Sequence, residues 1–244
     1  MPLELKDVDA RVRRAVASYW KTLAAQSRRQ TSGDPDRGGR AAVTGGKQME
    51  GFCGLVRKLL TDNGLPEAHI HSQARLELPG YFRASKSWDM LVVHDGRLVA
   101  ALEFKSQRGP SFGNNFNNRT EEAIGTAVDL WTAFREGAFG PGHPRPWLGW
   151  VMLLEDCPRS ARSVDVEEPH FPVFPEFRGA SYARRYELLL RKLVLEKLYD
   201  NAALLLSTPE SGPGGSYTEP SADLSMRRLL AGLAGHAVAA AAGA

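Results

Sequence analysis

Residues 88–107, WDMLVVHDGRLVAALEFKSQ, contain two apolar runs on either side of a short polar turn, and they constrain the fold more than any other part of the chain. Apolar runs of this length are typical of β-strands that are covered on both faces. The dipeptide Asp95-Gly96 between them is a strong signal for a β-hairpin. Yet Asp89, Glu103 and Lys105 lie within the two arms. Because an unpaired charge in a protein interior is costly, this hairpin requires a chemical explanation.

The length of the turn determines whether these three charges meet. Side chains alternate between the two faces of a strand, so Glu103 and Lys105 share a face. A two-residue turn at Asp95-Gly96 would put Asp89 on the opposite face. A three-residue loop over residues 94–96, with the glycine in a left-handed bulge, is also a common connection. It would make Glu103 the diagonal neighbour of Asp89, at a Cβ separation of about 7–8 Å, and we therefore predict the three-residue loop.

A cluster of two carboxylates and an ammonium group suits the hydrolysis of a phosphodiester. Asp89, Glu103 and the backbone carbonyl of Phe104 offer the hard oxygen ligands that Mg²⁺ prefers. Such an ion acts as a Lewis acid on a phosphate and lowers the pKa of a bound water. Lys105 would orient or deprotonate that water, or stabilise the charge that grows on the phosphate. The alternative is that these are solvent-facing charges of an edge strand, with Glu103 and Lys105 forming an ordinary ion pair.

The rest of the chain interleaves helical and strand patterns, which indicates an α/β fold with a mixed sheet flanked by helices. Helices are predicted at about residues 4–25, 47–62, 120–136, 181–199 and 222–242, and further strands at about 69–78, 146–155 and 202–208. A Pro-rich irregular connection covers residues 158–180. A long Gly- and Arg-rich loop follows the first helix and is either a solvated linker or a phosphate contact. Its cations are Arg28, Arg29, Arg37, Arg40 and Lys47.

Composition excludes several other classes of protein. The 244 residues suffice for a full core, and 43% hydrophobic and 24% charged residues are ordinary for a soluble globular protein. We expect no membrane span, because no uncharged apolar run reaches about 18 residues, and no secretion signal, because the N-terminal segment is charged. Two cysteines provide no disulfide framework, which fits a cytoplasmic location. The net charge of +3 permits an anionic partner without requiring one.

An Asn-rich segment directly after the charged strand is the strongest candidate for contact with nucleic acid. Asn and Gln can bind adenine through two hydrogen bonds and Arg can bind guanine, each contact contributing about 1–3 kcal/mol of discrimination. We predict an irregular loop here, followed by a helix that begins near Thr120. In the alternative, the asparagines build turns and cap that helix. The candidates for DNA contact are Gln107, Arg108, Asn114, Asn115, Asn117, Asn118 and Arg119.

The segments WDMLV, ALEFKSQRGPSFGNNFNNRTEEAIG and DLWTAFREGAFG resemble the XhoI-like type II restriction endonucleases, which belong to the PD-(D/E)xK nuclease superfamily. The resemblance covers most of the chain and is strongest over about residues 86–140. It maps the motif acid onto Asp89, the ExK acid onto Glu103 and the motif lysine onto Lys105, whereas Trp88 replaces the usual proline. It also points to Glu50, on the preceding helix, as an acid near the metal. The alternative for Glu50 is a solvated glutamate that interacts with the helix dipole.

The resemblance implies a Mg²⁺-dependent homodimer that cuts double-stranded DNA at a short palindrome, with CTCGAG as the implied site and 5′ overhangs. It also implies a restriction-endonuclease-like fold and a companion methyltransferase that protects the host DNA. We expect one nuclease domain over residues 1–244, with a catalytic core at about 47–155. The N-terminal helix and basic loop would occupy 1–46 and the C-terminal helices 181–242, and the last helix is a candidate dimer surface unless it packs in the core. The competing functions are a repair or recombination nuclease of the same superfamily and a non-catalytic DNA-binding module.

Overall fold

The computed structural model describes residues 3–31 and 47–242. Its helices are α1 (Val8–Thr31), α2 (Glu50–Asp62), α3 (Phe112–Arg135), α4 (Pro158–Ala161), α5 (Tyr182–Leu195) and α6 (Met226–Ala242). Its strands are β1 (Ile70–His71), β2 (Glu77–Pro79), β3 (Ser85–Ser87), β4 (Met90–His94), β5 (Arg97–Gln107), β6 (Trp147–Glu155) and β7 (Asn201–Ser207). The predicted elements near 47–62, 146–155, 181–199, 202–208 and 222–242 are therefore confirmed.

A five-stranded mixed sheet forms the centre of the fold, in the order β1-β4-β5-β6-β7. The middle strand, β5, is antiparallel to β4 and parallel to β6, and β6 is parallel to β7. Helices α1, α2 and α6 pack on one face of the sheet, and α3 and α5 pack on the other. The α/β fold with a mixed sheet flanked by helices is confirmed, and it is consistent with a restriction-endonuclease-like fold.

The predicted first helix is confirmed, although it is longer than expected. Its residues spaced three and four apart are buried in the core: Val8, Val12, Ala15, Val16, Tyr19, Trp20 and Leu23. Because α1 continues to Thr31, the first residues of the predicted basic loop are helical. Arg37 and Arg40 of that loop lie outside the described residues, and Lys47 is exposed just before α2.

The turn between β4 and β5 differs from the three-residue loop that we predicted. His94 pairs with Arg97, so the turn consists of Asp95 and Gly96 alone. Both residues have positive φ angles, 49° and 73°, which a type I′ turn requires. The prediction was wrong because Asp-Gly strongly favours this two-residue turn, whose twist matches that of the flanking strands.

A bulge in β5 restores the orientation that a two-residue turn alone would have reversed. The pairing register shifts between Val92 and Val93, which leaves Val99 as an extra residue in β5. One extra residue turns every following side chain to the other face of the sheet. Asp89 and Glu103 therefore lie on the same side, as predicted, although the local structure that brings them together is different.

Residues 69–78, which were predicted as one strand, are divided between two sheets. β1 contains only Ile70 and His71 and pairs with β4, whereas β2 and β3 form a separate two-stranded hairpin. Arg75, with a φ of 58°, lies between the two segments and breaks the extended backbone. The hairpin of β2 and β3 ends at Ser87, directly before Trp88 and Asp89. Residues of this hairpin therefore lie near Asp89, whereas the predicted single strand over residues 69–78 would not have placed them there.

The Asn-rich segment is mostly helical rather than a loop, and this corrects the prediction of a helix that begins near Thr120. α3 begins at Phe112, and the rings of Phe112 and Phe116 lie 5.8 Å and 5.1 Å from tyrosine rings of α5. Burial of these rings stabilises the first turns of the helix, even though asparagine and glycine have low helix propensity. The hydroxyl of Thr120 donates a hydrogen bond to the carbonyl of Phe116 at 2.9 Å, within the helix.

The apolar side of α6 packs in the core, which supports the alternative to a dimer surface. Its buried residues are Met226, Leu229, Leu230, Leu233, Ala234 and Ala237. These side chains contact the same apolar cluster as α1 and α2. Within residues 3–31 and 47–242, no helix is both long and apolar enough to cross a membrane.

We predict that Gly149→Ala destabilises the sheet next to β5. Gly149 pairs with Leu102 of β5, and a Cβ atom at this position would lie 2.4 Å from the ring of Trp147. Because that ring is buried, the strain should cost about 1–3 kcal/mol of unfolding free energy. Gly125→Ala is the matched control, since a Cβ on this exposed residue of α3 meets nothing within 4 Å. Urea unfolding should show a loss of stability for the first variant alone, and equal stabilities would contradict the packing argument.

Candidate active site

Asp89 and β5 form one side of the candidate active site. Asp89 directly precedes β4, and its Oδ2 atom accepts a hydrogen bond from the backbone N–H of Phe104 at 2.8 Å. In a β-strand the N–H and C=O groups of one residue point to the same side. The carbonyl of Phe104 is therefore directed to the side of β5 on which Asp89 lies, as its predicted role as a metal ligand requires.

Lys105 contacts three carboxylates. Its Nζ atom lies 3.2 Å from Oδ2 of Asp89 and 3.2 Å from Oε1 of Glu122, and it also contacts Oε2 of Glu103. Burial alone would lower the pKa of Lys105, but the three carboxylates raise it above its ordinary value. In the absence of a bound cation, the side chain is therefore held as an ammonium ion.

Glu103 is a buried carboxylate with a cation at each oxygen. The residue is 0% exposed, its Oε1 atom pairs with the ammonium group of Lys86, and its Oε2 atom contacts that of Lys105. The contact with Lys105 lacks hydrogen-bond geometry, so Oε2 accepts no hydrogen bond within the described part of the chain. Burial raises the pKa of Glu103 to about 7, with Lys105 opposing this effect and Asp89 adding to it. The ionised form depends on the two lysines.

The oxygen atoms of this cluster fit a magnesium ion. Asp89, Glu103 and the Phe104 carbonyl are hard donors, and the buried Oε2 atom of Glu103 lacks a hydrogen-bond donor. Mg²⁺ commonly takes one or two carboxylates and completes its octahedron with water and phosphate oxygens. Among the residues that the structure describes, no three His, Cys, Asp or Glu side chains are grouped closely enough to bind a metal. The protein therefore offers two acids and a carbonyl rather than a complete cage.

An open cleft of about 610 Å³ lies in front of the cluster. Asp89, Phe104 and Lys105 line it on the side of the sheet, and Glu50 and Cys53 line it on the side of α2. Burial, together with the charges of Glu50 and Asp89, raises the pKa of Cys53 to about 12, so the thiol stays protonated. Glu50 thus lies in the same cleft as Asp89, but among the described residues it does not complete a three-carboxylate group.

Lys86 is a site residue that sequence reasoning missed. It lies on β3, in the hairpin whose tip is fastened to α3 by Asp129. The Asp129 carboxylate accepts hydrogen bonds from two backbone N–H groups of the tip at 2.8 Å and from the Nε atom of Arg83 at 2.6 Å. The Lys86 side chain is 14% exposed and lies over the ring of Trp88, 4.7 Å from its centre. A short polar strand has no periodicity that marks such a residue.

Glu122 is the second residue that sequence reasoning missed, because it was assigned to the start of a helix. On the longer α3 it lies three residues after Arg119, and the two side chains form an ion pair of 2.5 Å. Although burial alone would raise the pKa of Glu122, Lys105 and Arg119 lower it below its ordinary value. Glu122 therefore remains a carboxylate that links Lys105 to α3. Extending the helical pattern back to Phe112 would have identified this position.

The structure divides the candidates for DNA contact into accessible and inaccessible residues. Gln107 is 4% exposed, and its amide binds the carbonyl of Phe112 at 3.1 Å and the hydroxyl of Tyr186. It therefore orients the start of α3 and is not available to a base, contrary to the prediction. Arg119 lines the cleft. The other candidates are partly or fully exposed: Arg108, Asn114, Asn115, Asn117 and Asn118.

Comparison with known proteins agrees with the resemblance in the motifs. Residues 28–219 match the family described as "Restriction endonuclease XhoI". The type II restriction enzyme BstVI of Geobacillus stearothermophilus is 52% identical over 213 residues, which cover 85% of this chain and 94% of the relative. XhoI of Xanthomonas vasicola is 50% identical over 199 residues, covering 80% and 79% of the two chains. AbrI of Azospirillum brasilense is 57% identical over 173 residues, covering 70% and 77%.

No solved structure matches the chain. The family match covers more than half of the sequence, and the relatives align over most of both chains. The matched region includes Asp89, Glu103 and Lys105, the three residues that the fold brings together. This chain belongs to the XhoI restriction endonuclease family.

Proposed function

We propose that this protein is a type II restriction endonuclease that cleaves both strands of a short palindromic DNA site with Mg²⁺. The observation that carries the proposal is the contact of Lys105 with Asp89 and Glu103 beside an open cleft. Three relatives that align with most of this chain are named type II restriction enzymes. The resemblance to XhoI implies CTCGAG as the site and 5′ overhangs as the product.

Each residue of the cluster has a role in phosphodiester hydrolysis. Asp89, Glu103 and the Phe104 carbonyl would hold Mg²⁺, which supplies a Lewis acid for the phosphate and an acidified water. Lys105 remains an ammonium ion in the cation-free site, which favours stabilisation of phosphate charge over a role as general base. Glu122 fixes the position of this ammonium group from the side of α3. Glu50 contributes negative charge to the opposite wall of the cleft.

The exposed side of α3 is the surface that would contact DNA. Arg119 lines the cleft, and the exposed asparagines Asn114, Asn117 and Asn118 lie on the preceding turns of the same helix. Amide and guanidinium groups can read base edges, and they can also bind phosphates. Arg108 and the partly exposed Asn115 extend this polar surface towards the start of the helix. A palindromic site would require two copies of the chain related by a twofold axis.

The proposed activity has a direct test. Unmethylated plasmid DNA incubated with the protein and Mg²⁺ should give discrete fragments, and sequencing their ends should identify one palindrome with 5′ overhangs. The same plasmid treated with the cognate methyltransferase, which we expect to act with this enzyme in the cytoplasm, should stay intact. Uncut DNA or a smear would rule out site-specific cleavage, and cutting at branched or damaged DNA would instead indicate a repair nuclease.

We predict that Glu103→Ala and Lys105→Ala each reduce cleavage by about a thousandfold or more, because they remove a metal ligand and the charge that faces the phosphate. Site-specific DNA binding, measured by fluorescence anisotropy, should persist. The control variants are Glu176→Ala and Lys192→Ala, which break a partly exposed ion pair of 2.8 Å outside the cleft. They should cleave at the normal rate. Normal cleavage by either site variant would remove that residue from the chemistry.

We predict that the affinity for Mg²⁺ falls as the pH is lowered through about 7. Burial raises the pKa of Glu103 to about 7, so at lower pH a proton competes with the cation for the same carboxylate. Affinity should therefore increase from about pH 6 to about pH 8 and then level off, as measured by isothermal titration calorimetry. A Glu103→Gln variant should lose this dependence. Constant affinity of the unmodified protein across the range would contradict the assignment of Glu103 as a ligand.

A further inference from the structure

We propose that Lys86 and the divalent cation compete for Glu103, so that Lys86 occupies the carboxylate until the cation displaces it towards the DNA phosphate. This inference rests on the proposed nuclease function and adds a residue from outside the Asp-Glu-Lys motif. It follows from the contacts of one lysine on the hairpin of β2 and β3. Lys86 touches no other carboxylate in the described structure apart from Glu103.

The position of Lys86 shows that it serves as the counter-ion of a fully buried carboxylate. Its Nζ atom pairs with Oε1 of Glu103, and it also donates a hydrogen bond to the carbonyl of Ser87 at 2.8 Å. The Glu103 side chain is 1% exposed and the Lys86 side chain 14%, so water scarcely reaches the pair. A buried carboxylate without a counter-ion is strongly disfavoured. Lys86 thus supplies a positive charge where a cation would otherwise be needed.

Both oxygen atoms of Glu103 are in contact with ammonium groups, so a metal ion that binds this carboxylate competes with at least one of them. Oε1 pairs with Lys86 and Oε2 contacts Lys105. Lys105 is also held by Asp89 and Glu122, each at 3.2 Å, whereas Lys86 has only Glu103 as an anionic partner in the described structure. Lys86 is therefore the ammonium group that leaves more readily.

The local charge balance indicates where the displaced ammonium group of Lys86 would bind. In the cation-free site, three acids, Asp89, Glu103 and Glu122, face three basic side chains, Lys86, Lys105 and Arg119. A divalent cation adds two positive charges to this balanced group. The surplus repels Lys86 from Glu103 and attracts a phosphate, because like charges at this distance in a partly buried site are unfavourable.

The tether of Lys86 keeps its ammonium group near the cleft after displacement. The hairpin tip is fixed to α3 by Asp129, and the neighbouring residues Ser87 and Trp88 line the cleft. A lysine side chain has four rotatable methylene groups, so a change of rotamer is sufficient to redirect it. The phosphate that enters the cleft is then the anion within its reach.

Lanthanide luminescence tests the competition without DNA and without catalysis. Trp88 lines the cleft and can sensitise Tb³⁺ bound at Glu103, and Mg²⁺ can then be titrated against the Tb³⁺ signal. Lys86→Met should bind both ions about tenfold more tightly than the unmodified protein, because the competing charge is absent. Lys192→Met, which removes the same charge from a partly exposed pair outside the cleft, should bind them with unchanged affinity. Equal or weaker binding by Lys86→Met would overturn the proposal.

Amine labelling of the unmodified protein provides a second measurement that does not depend on how the variant folds. Acetylation of Lys86, followed by mass spectrometry, should be slow without cation and accelerate several-fold with saturating Mg²⁺. Labelling of Lys192 should not respond. In Glu103→Gln, Lys86 should react rapidly at every Mg²⁺ concentration. If saturating Mg²⁺ does not change the acetylation rate of Lys86 in the unmodified protein, the proposed displacement is wrong.

The two proposals can fail separately. If plasmid DNA is not cut at a defined site but Mg²⁺ exposes Lys86, the nuclease assignment is wrong and the competition stands. If the plasmid is cut and Mg²⁺ leaves Lys86 protected, the competition is wrong and the nuclease assignment stands. In the nuclease, single-turnover cleavage by Lys86→Met should be slower at saturating Mg²⁺ despite tighter cation binding. A rate equal to that of Lys192→Met would exclude contact between Lys86 and the phosphate.

Discussion

The burial of the Glu103 carboxylate is the constraint on which the site depends. A glutamate with 0% exposure in the middle of a covered sheet is stable only with cations at hand, and the fold provides Lys105 from the same strand and Lys86 from a separate hairpin. Asp89 and Glu122 in turn hold Lys105. Each acidic side chain that makes the hairpin of β4 and β5 unusual as core strands is thus paired with an ammonium group, and the same oxygen atoms are the proposed ligands of Mg²⁺.

Two helices and a small hairpin connect this centre to the surfaces that would meet DNA. α3 carries Glu122 on the side of Lys105 and exposed asparagines towards solvent, so the proposed reading surface and the charged centre share one rigid element. α2 places Glu50 on the opposite wall of the cleft. The hairpin of β2 and β3 is fastened to α3 through Asp129 and delivers Lys86.

Sequence patterns predicted the elements that have strong periodicity, and the errors have specific physical causes. The apolar spacing of α1 and the continuous apolar run of β6 were sufficient to predict these two elements. A helix with one buried side and a strand with both faces buried each leave a clear pattern in the sequence. The start of α3 was missed because asparagine and glycine favour turns, whereas packing of Phe112 and Phe116 against α5 outweighs that preference. Gln107 was read as a base contact, yet the contact of α5 with the end of β5 buries its amide.

The sequence alone predicted the α/β class, the XhoI-like motifs and Asp89, Glu103 and Lys105 as candidate site residues, because residue type and strand alternation are local properties. It led to a wrong prediction for the register of β4 and β5, because the two-residue turn with a bulge at Val99 depends on pairing across the sheet. It also gave no sign of Lys86 as a partner of Glu103. Contacts between residues that are distant in sequence follow from packing of whole elements, which no local pattern encodes.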